Sequence, residues 1–316
     1  MEDFLHFNWN EMRIYNVIKD PCGAGHQVRT NYFSEVTDQI FERFYPPSSQ
    51  PPGDLIHVTC TGYASPSSAQ KIVEKQNWQT ETVITHAYHM GCYGAFPALR
   101  MAQGFLASSH LNGGKKEQVD IVHTELCTIH LNPARHEPEQ LVVQSLFADG
   151  FIKYSLVSCQ QLARQKAHGL KILSIREEIV PGSLEAMSWI IGDWGMEMKL
   201  SRDVAQFIAT TLREFLVTLC RQAGYDFEEL RQEALFAIHP GGPKIVDQVQ
   251  ELLGLSNSQV ELSKQLLYEC GNMSSATLPH VWQRIVADQS LAKGRLVFSL
   301  AFGPGLTICG GLMEII

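Results

Sequence analysis

The sequence has few charged residues and no long basic run. Charged residues make up 18% of the 316 positions, and 25 Lys+Arg stand against 33 Asp+Glu, so the formal net charge is −8. Binding to a nucleic-acid backbone or to an anionic membrane surface depends on clustered positive charge, so neither partner is expected. The 45% of hydrophobic residues argues against a disordered chain and predicts a globular protein.

Closely spaced cysteines are also absent. None of the eight cysteines forms a Cys-x-x-Cys pair, so a zinc ribbon is not expected, and free, mostly buried thiols of a cytoplasmic protein are the better interpretation. The start Met-Glu-Asp is not typical of a secretory signal. His86, His89 and Cys92 are spaced by three along one segment, but on a strand that spacing alternates faces, so no metal site is expected.

No long apolar run is free of glycine. Leu296 to Met313 contains no charge, yet Gly303-Pro304-Gly305 and Gly310-Gly311 interrupt it. A membrane-spanning helix is rarely broken twice over such a length. The segment therefore predicts two buried strands joined by a glycine turn.

The order of strand-like and helix-like segments predicts an α/β fold. At about 100–200 residues per domain, the length allows two ordinary domains or one duplicated unit. Apolar β-branched runs predict strands at 54–61, 82–86, 119–124, 151–158, 171–180 and 234–238, and 3.6-residue periodicity predicts helices from Ser65-Pro66 onward and at 95–107, 140–146, 202–223, 243–253, 263–268 and 277–287. The alternation occurs twice, so we divide the chain into halves 1–158 and 159–316.

Three residues stand on irregular segments beside regular elements. Cys92 lies between a strand and a long helix, where a helix N-terminus lowers a thiol pKa, although a packed core cysteine is the commoner case. His239 ends a strand and precedes Pro240-Gly241-Gly242-Pro243; a structural histidine is the alternative. Asn272 lies between two helices, with a helix N-cap as its ordinary role.

Together these residues form a set that is suited to acyl transfer. A thiolate attacks a thioester carbonyl, an imidazole takes and returns protons, and an amide holds a developing oxyanion. Papain-like proteases use the same side chains, so the set alone does not identify the fold.

The sequence around these residues resembles the chalcone synthase family, the type III polyketide synthases. The resemblance rests on Ala237-Ile-His-Pro-Gly-Gly-Pro, Tyr268-Glu-Cys-Gly-Asn-Met-Ser-Ser-Ala and Ala301-Phe-Gly-Pro-Gly-Leu-Thr. Met90-Gly-Cys-Tyr-Gly-Ala is similar to the family's nucleophile segment, and Ser145-Leu-Phe-Ala-Asp-Gly to its gatekeeper segment. The resemblance covers Asp54 to the C-terminus.

The resemblance implies a thiolase fold of five layers, α-β-α-β-α, built from two related halves. It implies that Cys92 is the nucleophile, paired as a thiolate with a His239 imidazolium, and that Asn272 is their partner. His239 and Asn272 would then hold the thioester oxygen of a malonyl-type extender during decarboxylation. Further residues that it assigns to the substrate pocket are Phe147 as a gatekeeper, Thr61, Ser274, Gly241, Gly242, Phe302 and Gly303.

Several positions depart from the family pattern. The stretch before Asp54 is short and lacks the family's basic motif for coenzyme A, so either the carrier differs or another cation serves. Lys244 is the candidate phosphate contact, and a solvated lysine is the alternative. Met196 stands where a second gatekeeper is expected, and His130 replaces a cavity-wall threonine. Pro97 predicts that the helix after Cys92 begins late or is kinked.

The sequence therefore predicts a condensing acyltransferase of the type III polyketide synthase kind. The alternatives are a Cys-His-Asn acyltransferase of the ketoacyl synthase III type that does not decarboxylate its substrate, and a subunit of a heteromeric synthase. The expected partners are acyl thioesters of coenzyme A or of an acyl carrier protein, with no bound cofactor. The short stretch before Asp54 also lacks the residues that normally complete the first sheet. Because an exposed sheet edge is costly, we expect a homodimer, with a heterodimer as the alternative.

Overall fold

The protein is described by a computed structural model that covers residues 1–113 and 116–316. Its strands are β1 (Asp54–Thr59), β2 (Val83–Tyr88), β3 (Gln118–Leu126), β4 (Asp149–Val157), β5 (Leu170–Ile179), β6 (Met187–Ile191), β7 (Met196–Leu200), β8 (Leu235–Ile238), β9 (Leu296–Gly303) and β10 (Thr307–Ile315). Its α-helices are α1 (His26–Phe44), α2 (Ser68–Lys75), α3 (Ala95–Leu111), α4 (Pro138–Leu146), α5 (Cys159–Gln165), α6 (Val204–Gln222), α7 (Phe227–Leu230), α8 (Pro243–Leu253), α9 (Asn257–Cys270) and α10 (Thr277–Ala287).

Two four-stranded sheets form the centre of the molecule. The first has the order β2-β1-β3-β4 and the second the order β5-β10-β9-β8. Parallel strands are followed by an antiparallel return strand in each sheet: β2, β1 and β3 by β4 in the first, and β8 and β9 by β10 in the second. β6 and β7 form a separate hairpin. Each predicted half therefore supplies one sheet, while the boundary at 158/159 stays a prediction.

The helices complete five layers. α3 contacts β1 and β3 on one side and β10 on the other, and α10 contacts both β4 and β8, so these two helices lie between the sheets. α1 and α2 pack on the outer face of the first sheet, and α6 and α8 on the outer face of the second. The core around α3 and α10 contains residues of both halves, for example Ile56 and Val297. The halves therefore share one core.

Several helix boundaries differ from the predicted ones. α3 begins at Ala95, earlier than expected, because Pro97 lies in the first turn, where a missing N–H breaks no helical hydrogen bond. α2 begins after Ser67, whose hydroxyl accepts the Gln70 N–H in a capping box, so the predicted cap at Ser65-Pro66 was wrong. α9 is also longer than the predicted segment.

The first fifty residues contain a helix that the sequence analysis did not predict. The buried face of α1 contains Arg29 and Thr37 as well as aromatic side chains. The Arg29 guanidinium is fully buried and donates to the carbonyls of Ala24, Cys22 and Leu131. The Arg29 donors find these partners only in the folded chain. Since the buried face of α1 contains such polar side chains, it lacks the regular apolar spacing from which a helix is predicted.

Candidate active site

Cys92 lies on a short 3-10 turn, Gly91–Tyr93, directly before α3. Gly91 has φ +69°, a conformation that L side chains rarely adopt, and a Cβ there would collide with Pro304. The turn is therefore held against the glycine loop between β9 and β10. Cys92 itself is buried, with 8% of its surface exposed.

Asn272 follows α9 in an extended segment that pairs with the backbone around Phe147. Its own N–H donates to the Leu146 carbonyl at 2.8 Å, and its carbonyl accepts the Ala148 N–H at 2.9 Å. The side-chain Nδ2 donates to the Gly241 carbonyl at 3.2 Å, and Oδ1 accepts the Ser274 N–H at 2.9 Å. These contacts fix the orientation of the amide, so Asn272 is more than a helix cap.

His239 directly follows β8 and is 2% exposed. Neither Nδ1 nor Nε2 has a hydrogen-bond partner, although almost every buried polar group in a folded protein has one. Gly241 lies against the edge of the ring, and its carbonyl binds Asn272, so His239 and Asn272 converge on this residue. Burial lowers the pKa of His239 to about 3, so its imidazole is neutral.

The thiol of Cys92 is also neutral in this closed site. Burial raises its pKa to about 12, while hydrogen bonds from Ser274 and Asn272 lower it and the negative charge of Glu125 raises it. Its Sγ is 4.0 Å from the Ser274 hydroxyl, and no hydrogen bond joins it to His239. Burial therefore opposes charge on both the thiol and the imidazole, whereas the resemblance implied a thiolate–imidazolium pair.

Two further residues of this site were missed by the sequence analysis, Glu125 and Cys60. The buried Glu125 carboxylate accepts the Cys60 N–H at 3.1 Å, the Thr61 hydroxyl at 2.8 Å and the Ser275 hydroxyl. The Cys60 thiol contacts this carboxylate and lies 2.9 Å from the Ser274 hydroxyl. Burial raises the pKa of Glu125. The available signal was their position at the carboxyl ends of two parallel strands, since Cys60 directly follows β1 and Glu125 is the last residue but one of β3.

A small cavity of about 20 Å³ borders the Cys92 thiol, which is room for about one water molecule. Trp189 fills the adjoining space: its ring stacks on Phe147 at 6.4 Å, and its Nε1 donates to the Cys60 carbonyl at 2.6 Å. The residues around the cavity are Cys60, Thr61, Gly91, Cys92, Cys127, Phe147, Met187, Trp189, Met198, Ser274 and Pro304. No sequence signal identified Trp189, because β6 brings it from the other half of the chain.

Thr61, Phe147 and Ser274 thus border the cavity as predicted, whereas Met196 and His130 lie behind its wall. The His130 ring packs edge-on against Trp189, its Nε2 hydrogen-bonds the Thr61 carbonyl at 2.7 Å, and its Nδ1 accepts the Met196 N–H at 3.0 Å. Both residues therefore act on the cavity only through the residues that line it. Met187 and Met198 form part of the wall, and Met196 does not.

The remaining pocket candidates lie at or near two loops of the second half, the loop between β8 and α8 and the loop between β9 and β10. Phe302 packs in the core of that half and does not border the cavity. A Cβ on Gly303 would collide with the Tyr93 ring, and one on Gly242 would press on Leu146, so both glycines permit close packing. Lys244 is exposed in the first turn of α8.

Across residues 1–113 and 116–316, no group of three or more His, Cys, Asp or Glu side chains is arranged to hold a metal ion. Within the same residues, no helix is both long and apolar enough to cross a bilayer.

Comparisons with known proteins agree with this architecture. The C-terminal domain of the chalcone and stilbene synthases matches residues 171–316. The type III polyketide synthase C of Arabidopsis thaliana is 27% identical over 264 residues, which cover 82% of this chain and 66% of that protein. The chain thus spans just under two thirds of the length of that relative.

Solved structures have the same fold. The C-terminal type III polyketide synthase domain of Steely1, a type I/III hybrid from Dictyostelium, superposes with a TM-score of 0.80 at 22% identity, covering 95% of this chain and 82% of that one. The 1,3,6,8-tetrahydroxynaphthalene synthase of Streptomyces coelicolor gives 0.78 at 19% identity, covering 94% and 83%. The five layers are therefore those of the thiolase fold, and residues 171–316 are similar to the C-terminal domain of the chalcone and stilbene synthases.

Proposed function

We propose that this protein is a condensing acyltransferase of the type III polyketide synthase kind, with Cys92 as its nucleophile and His239 and Asn272 as its catalytic partners. The observation that carries the proposal is the pair of unpartnered ring nitrogens of His239 in a buried site. A neutral imidazole donates one hydrogen bond and accepts another, so it can hold a thioester oxygen or move a proton. The oriented amide of Asn272 adds a second donor at the same place.

In the proposed loading step, the Cys92 sulfur attacks the carbonyl carbon of an acyl thioester. The bond between that carbon and the carrier sulfur breaks, and His239 passes the thiol proton to the leaving carrier sulfur. The result is an acyl-Cys92 thioester and a free carrier thiol. Because the thiol is neutral in the closed site, proton transfer to His239 accompanies substrate entry.

In the proposed condensation step, a malonyl-type thioester loses its carboxylate as carbon dioxide. The electron pair of the broken C–C bond forms an enolate whose oxygen accepts hydrogen bonds from His239 and Asn272. The enolate carbon then attacks the acyl-Cys92 carbonyl, and the Cys92 sulfur leaves as a thiolate, which takes up a proton from solvent through His239. The cavity of about 20 Å³ does not accommodate these groups, so Trp189 and its neighbours must move first.

Mass spectrometry and gas release test this proposal. The protein is incubated with acyl and malonyl thioesters, on coenzyme A and on an acyl carrier protein, and intact mass and carbon dioxide are followed. Cys92→Ala should abolish acylation, whereas the matched variant Cys127→Ala, which removes another thiol at the same cavity, should keep it. Acylation that survives Cys92→Ala contradicts the nucleophile assignment.

The same assay separates condensation from simple acyl transfer. If carbon dioxide release requires both His239 and Asn272, the condensing function is supported. Acyl loading without any decarboxylation would favour the acyltransferase that does not decarboxylate its substrate, and no loading at all would favour a subunit of a heteromeric synthase.

The proposal includes an acyl carrier with a phosphate group, which Lys244 contacts. Its support is the exposed position of Lys244 beside Gly242, at the start of α8, where a helix N-terminus favours anions. Lys244→Ala should raise the KM for coenzyme A thioesters with little change in kcat. The matched variant Lys199→Ala removes an exposed lysine elsewhere and should change neither constant; equal kinetics in both variants reject the contact.

We further propose a cytoplasmic homodimer, with a heterodimer as the alternative. All eight cysteines are free thiols, which supports a reducing compartment. The unpaired edge of β2 in the described residues, where Val83 is exposed, supports association through a sheet edge. Analytical ultracentrifugation should give twice the 35.4 kDa mass of the chain.

A further inference from the structure

Trp189 forms part of the wall between the cavity at Cys92 and solvent. Its indole borders the cavity of about 20 Å³, while part of its surface is exposed. Three contacts hold the ring: the stacking on Phe147, the edge-on packing of His130 and the hydrogen bond from Nε1 to the Cys60 carbonyl. All three involve the side chain, so the position of the strand that carries Trp189 depends on other contacts.

The backbone of β6 has few hydrogen bonds outside its own hairpin. β6 pairs with β7 and with no other strand of residues 1–113 and 116–316. Within the same part of the chain, two hydrogen bonds hold its backbone from outside. The Met187 carbonyl accepts the Gly305 N–H at 2.9 Å, and the Trp189 carbonyl accepts a hydrogen bond from the His89 ring at 2.9 Å. Among the described residues, His89 therefore fixes the backbone of β6 at Trp189.

The partners of the His89 ring determine which of its nitrogens carries the proton. A carbonyl oxygen only accepts hydrogen bonds, so Nε2 bears the hydrogen and donates to Trp189. In the neutral imidazole Nδ1 is then an acceptor, and it takes the hydrogen bond of the Tyr63 hydroxyl. Burial raises the pKa of Tyr63, which keeps this hydroxyl protonated. Tyr63 thus orients the ring so that its donor points at the hairpin.

His89 is itself held close to the nucleophile. It directly follows β2, three residues before Cys92, and its N–H donates to the Thr59 carbonyl at the end of β1 at 2.9 Å. Its φ is +63°, in the left-handed region that few residues other than glycine adopt. Backbone outliers of this kind persist where surrounding contacts determine them, and they are common at functional sites. This conformation lets one residue contact both the end of β1 and a strand 100 residues further along the chain.

We propose that His89 is a positioning residue of the candidate active site, which holds β6 in place and keeps Trp189 over Cys92 until an acyl thioester enters. Breaking the contact from Nε2 to the Trp189 carbonyl would free the backbone of β6 at this point, and the indole would leave the cavity with it. The inference rests on the proposed function, because an acyl group needs this space only if Cys92 accepts it. The accessibility of the thiol is measured without catalysis, so the two proposals can fail separately.

Alkylation of Cys92 by iodoacetamide, located by peptide mass mapping, measures how often the site opens. Asn, like His, adopts a positive φ more readily than most residues, but its side chain is too short to reach the Trp189 carbonyl. His89→Asn should therefore keep the turn, lose the contact and raise the alkylation rate about fivefold, the factor that one lost hydrogen bond contributes to an opening equilibrium. His89→Gln, whose amide nitrogen takes the place of Nε2, should restore the original rate.

His86 provides the matched control on the strand that precedes His89. It is also exposed, but its Nε2 hydrogen-bonds the Ser67 hydroxyl, directly before α2, at 2.8 Å. His86→Asn should leave the alkylation rate unchanged. Tyr63→Phe should raise the rate, and adding it to His89→Asn should give no further increase, because both changes act through one contact.

Steady-state kinetics distinguish a residue that holds the site closed from a merely structural one. If the closed state excludes the acyl thioester, His89→Asn should lower the KM for it by about the same factor of five and leave kcat unchanged. Equal alkylation rates in His89→Asn and His86→Asn would overturn the proposal, and so would a raised rate that His89→Gln does not restore. A lower kcat at an unchanged alkylation rate would overturn it as well. Acylation that survives Cys92→Ala, by contrast, would reject the proposed function alone.

Discussion

The two recesses of this molecule differ in how their polar groups are satisfied. The site around Cys92 has a cavity of about 20 Å³, and His239, which converges with Asn272 on Gly241, has two ring nitrogens without partners. The groove along β4 has about 720 Å³ and mostly apolar walls, and its unsatisfied groups belong to the backbone of a strand edge. The larger recess is therefore not the candidate site of chemistry. Volume alone therefore does not identify the candidate site, which we infer from the unpartnered side chain of His239 instead.

The largest effect is expected from removing the unpartnered histidine. His239→Leu should lower the rate of condensation by a factor of about 1,000 or more, because one donor to the enolate and the proton carrier are lost. The free energy of unfolding should stay the same or rise by about 1 kcal/mol, since no hydrogen bond is broken and a buried polar ring is replaced by an apolar group. Product formation and urea unfolding measure the two quantities.

His57 provides the matched control for that variant. It is equally buried, but its ring is hydrogen-bonded to the Thr124 hydroxyl at 2.8 Å and to the Tyr88 hydroxyl at 2.9 Å. His57→Leu should therefore reduce the free energy of unfolding by about 2–4 kcal/mol. If His239→Leu destabilises the protein as much as His57→Leu does, His239 is a structural residue.

Acid should begin to destabilise the protein at pH values well above the pKa of its carboxylates. Burial lowers the pKa of His57, His123, His130 and His239 to about 3, so these rings stay neutral in the folded state while they bind protons near pH 6.5 in the unfolded chain. Their contribution is therefore complete above pH 6.5 and is lost toward pH 3, by up to about 1.4 kcal/mol per pH unit for each ring.

Unfolding by urea at pH 7.5 and pH 5.5 measures this loss. Glu125 acts in the opposite direction, because burial raises its pKa and its contribution falls as the pH rises. His123→Gln should reduce the pH dependence, whereas removing the exposed His136 should not. A free energy of unfolding that is constant between the two pH values contradicts the neutral state of the buried rings.

Opening the closed site should expose its thiol. Trp189→Ala removes the ring that stacks on Phe147 and the hydrogen bond to the Cys60 carbonyl. Alkylation of Cys92 by iodoacetamide, followed by peptide mass mapping, should become about tenfold faster, because the thiol is more accessible and less desolvated. Trp194→Ala, at a tryptophan that is already 38% exposed, should leave the rate unchanged. Equal rates in both variants would show that Trp189 does not close the site.

The smallest expected effects on stability come from two valines of α10, one in the core and one at the groove. Val281 of α10 is completely buried, whereas Val286 of the same helix borders the groove and is half-buried. Val281→Ala should reduce the free energy of unfolding by about 2 kcal/mol, and Val286→Ala by about 0.5 kcal/mol, because the groove is already open to water. Thermal unfolding compares them, and similar losses would mean that the groove is closed in solution.

The predicted alternation of strands and helices was confirmed where side chains repeat with a clear period. β9 and β10 form around the glycine turn as expected, and α8 and α10 have their predicted bounds. The prediction failed for α1 and for the β6–β7 hairpin. α1 buries Arg29 through contacts with distant carbonyls, and β6 packs Trp189 against the other half of the chain. Neither contact leaves a periodic pattern in the local sequence.

The candidate site was predicted in its three principal residues and missed in its surroundings. Local signals sufficed for Cys92, His239 and Asn272, since each stands at the end of an element beside glycine or small residues. Glu125, Cys60 and Trp189 come near them only through pairing of distant strands and the hairpin. Their roles depend on distances and on burial, and burial also opposes the charges that the resemblance implied for Cys92 and His239.

The sequence by itself thus indicated the resemblance to the chalcone synthases and singled out three candidate catalytic residues through local motifs, and its hydrophobic periods predicted two halves. Only the tertiary structure decided that the site is closed by Trp189, that its thiol and imidazole are neutral, and that β4 is left with an open edge. These properties depend on which atoms exclude water from a given point. That arrangement exists only after segments far apart in the chain have packed together.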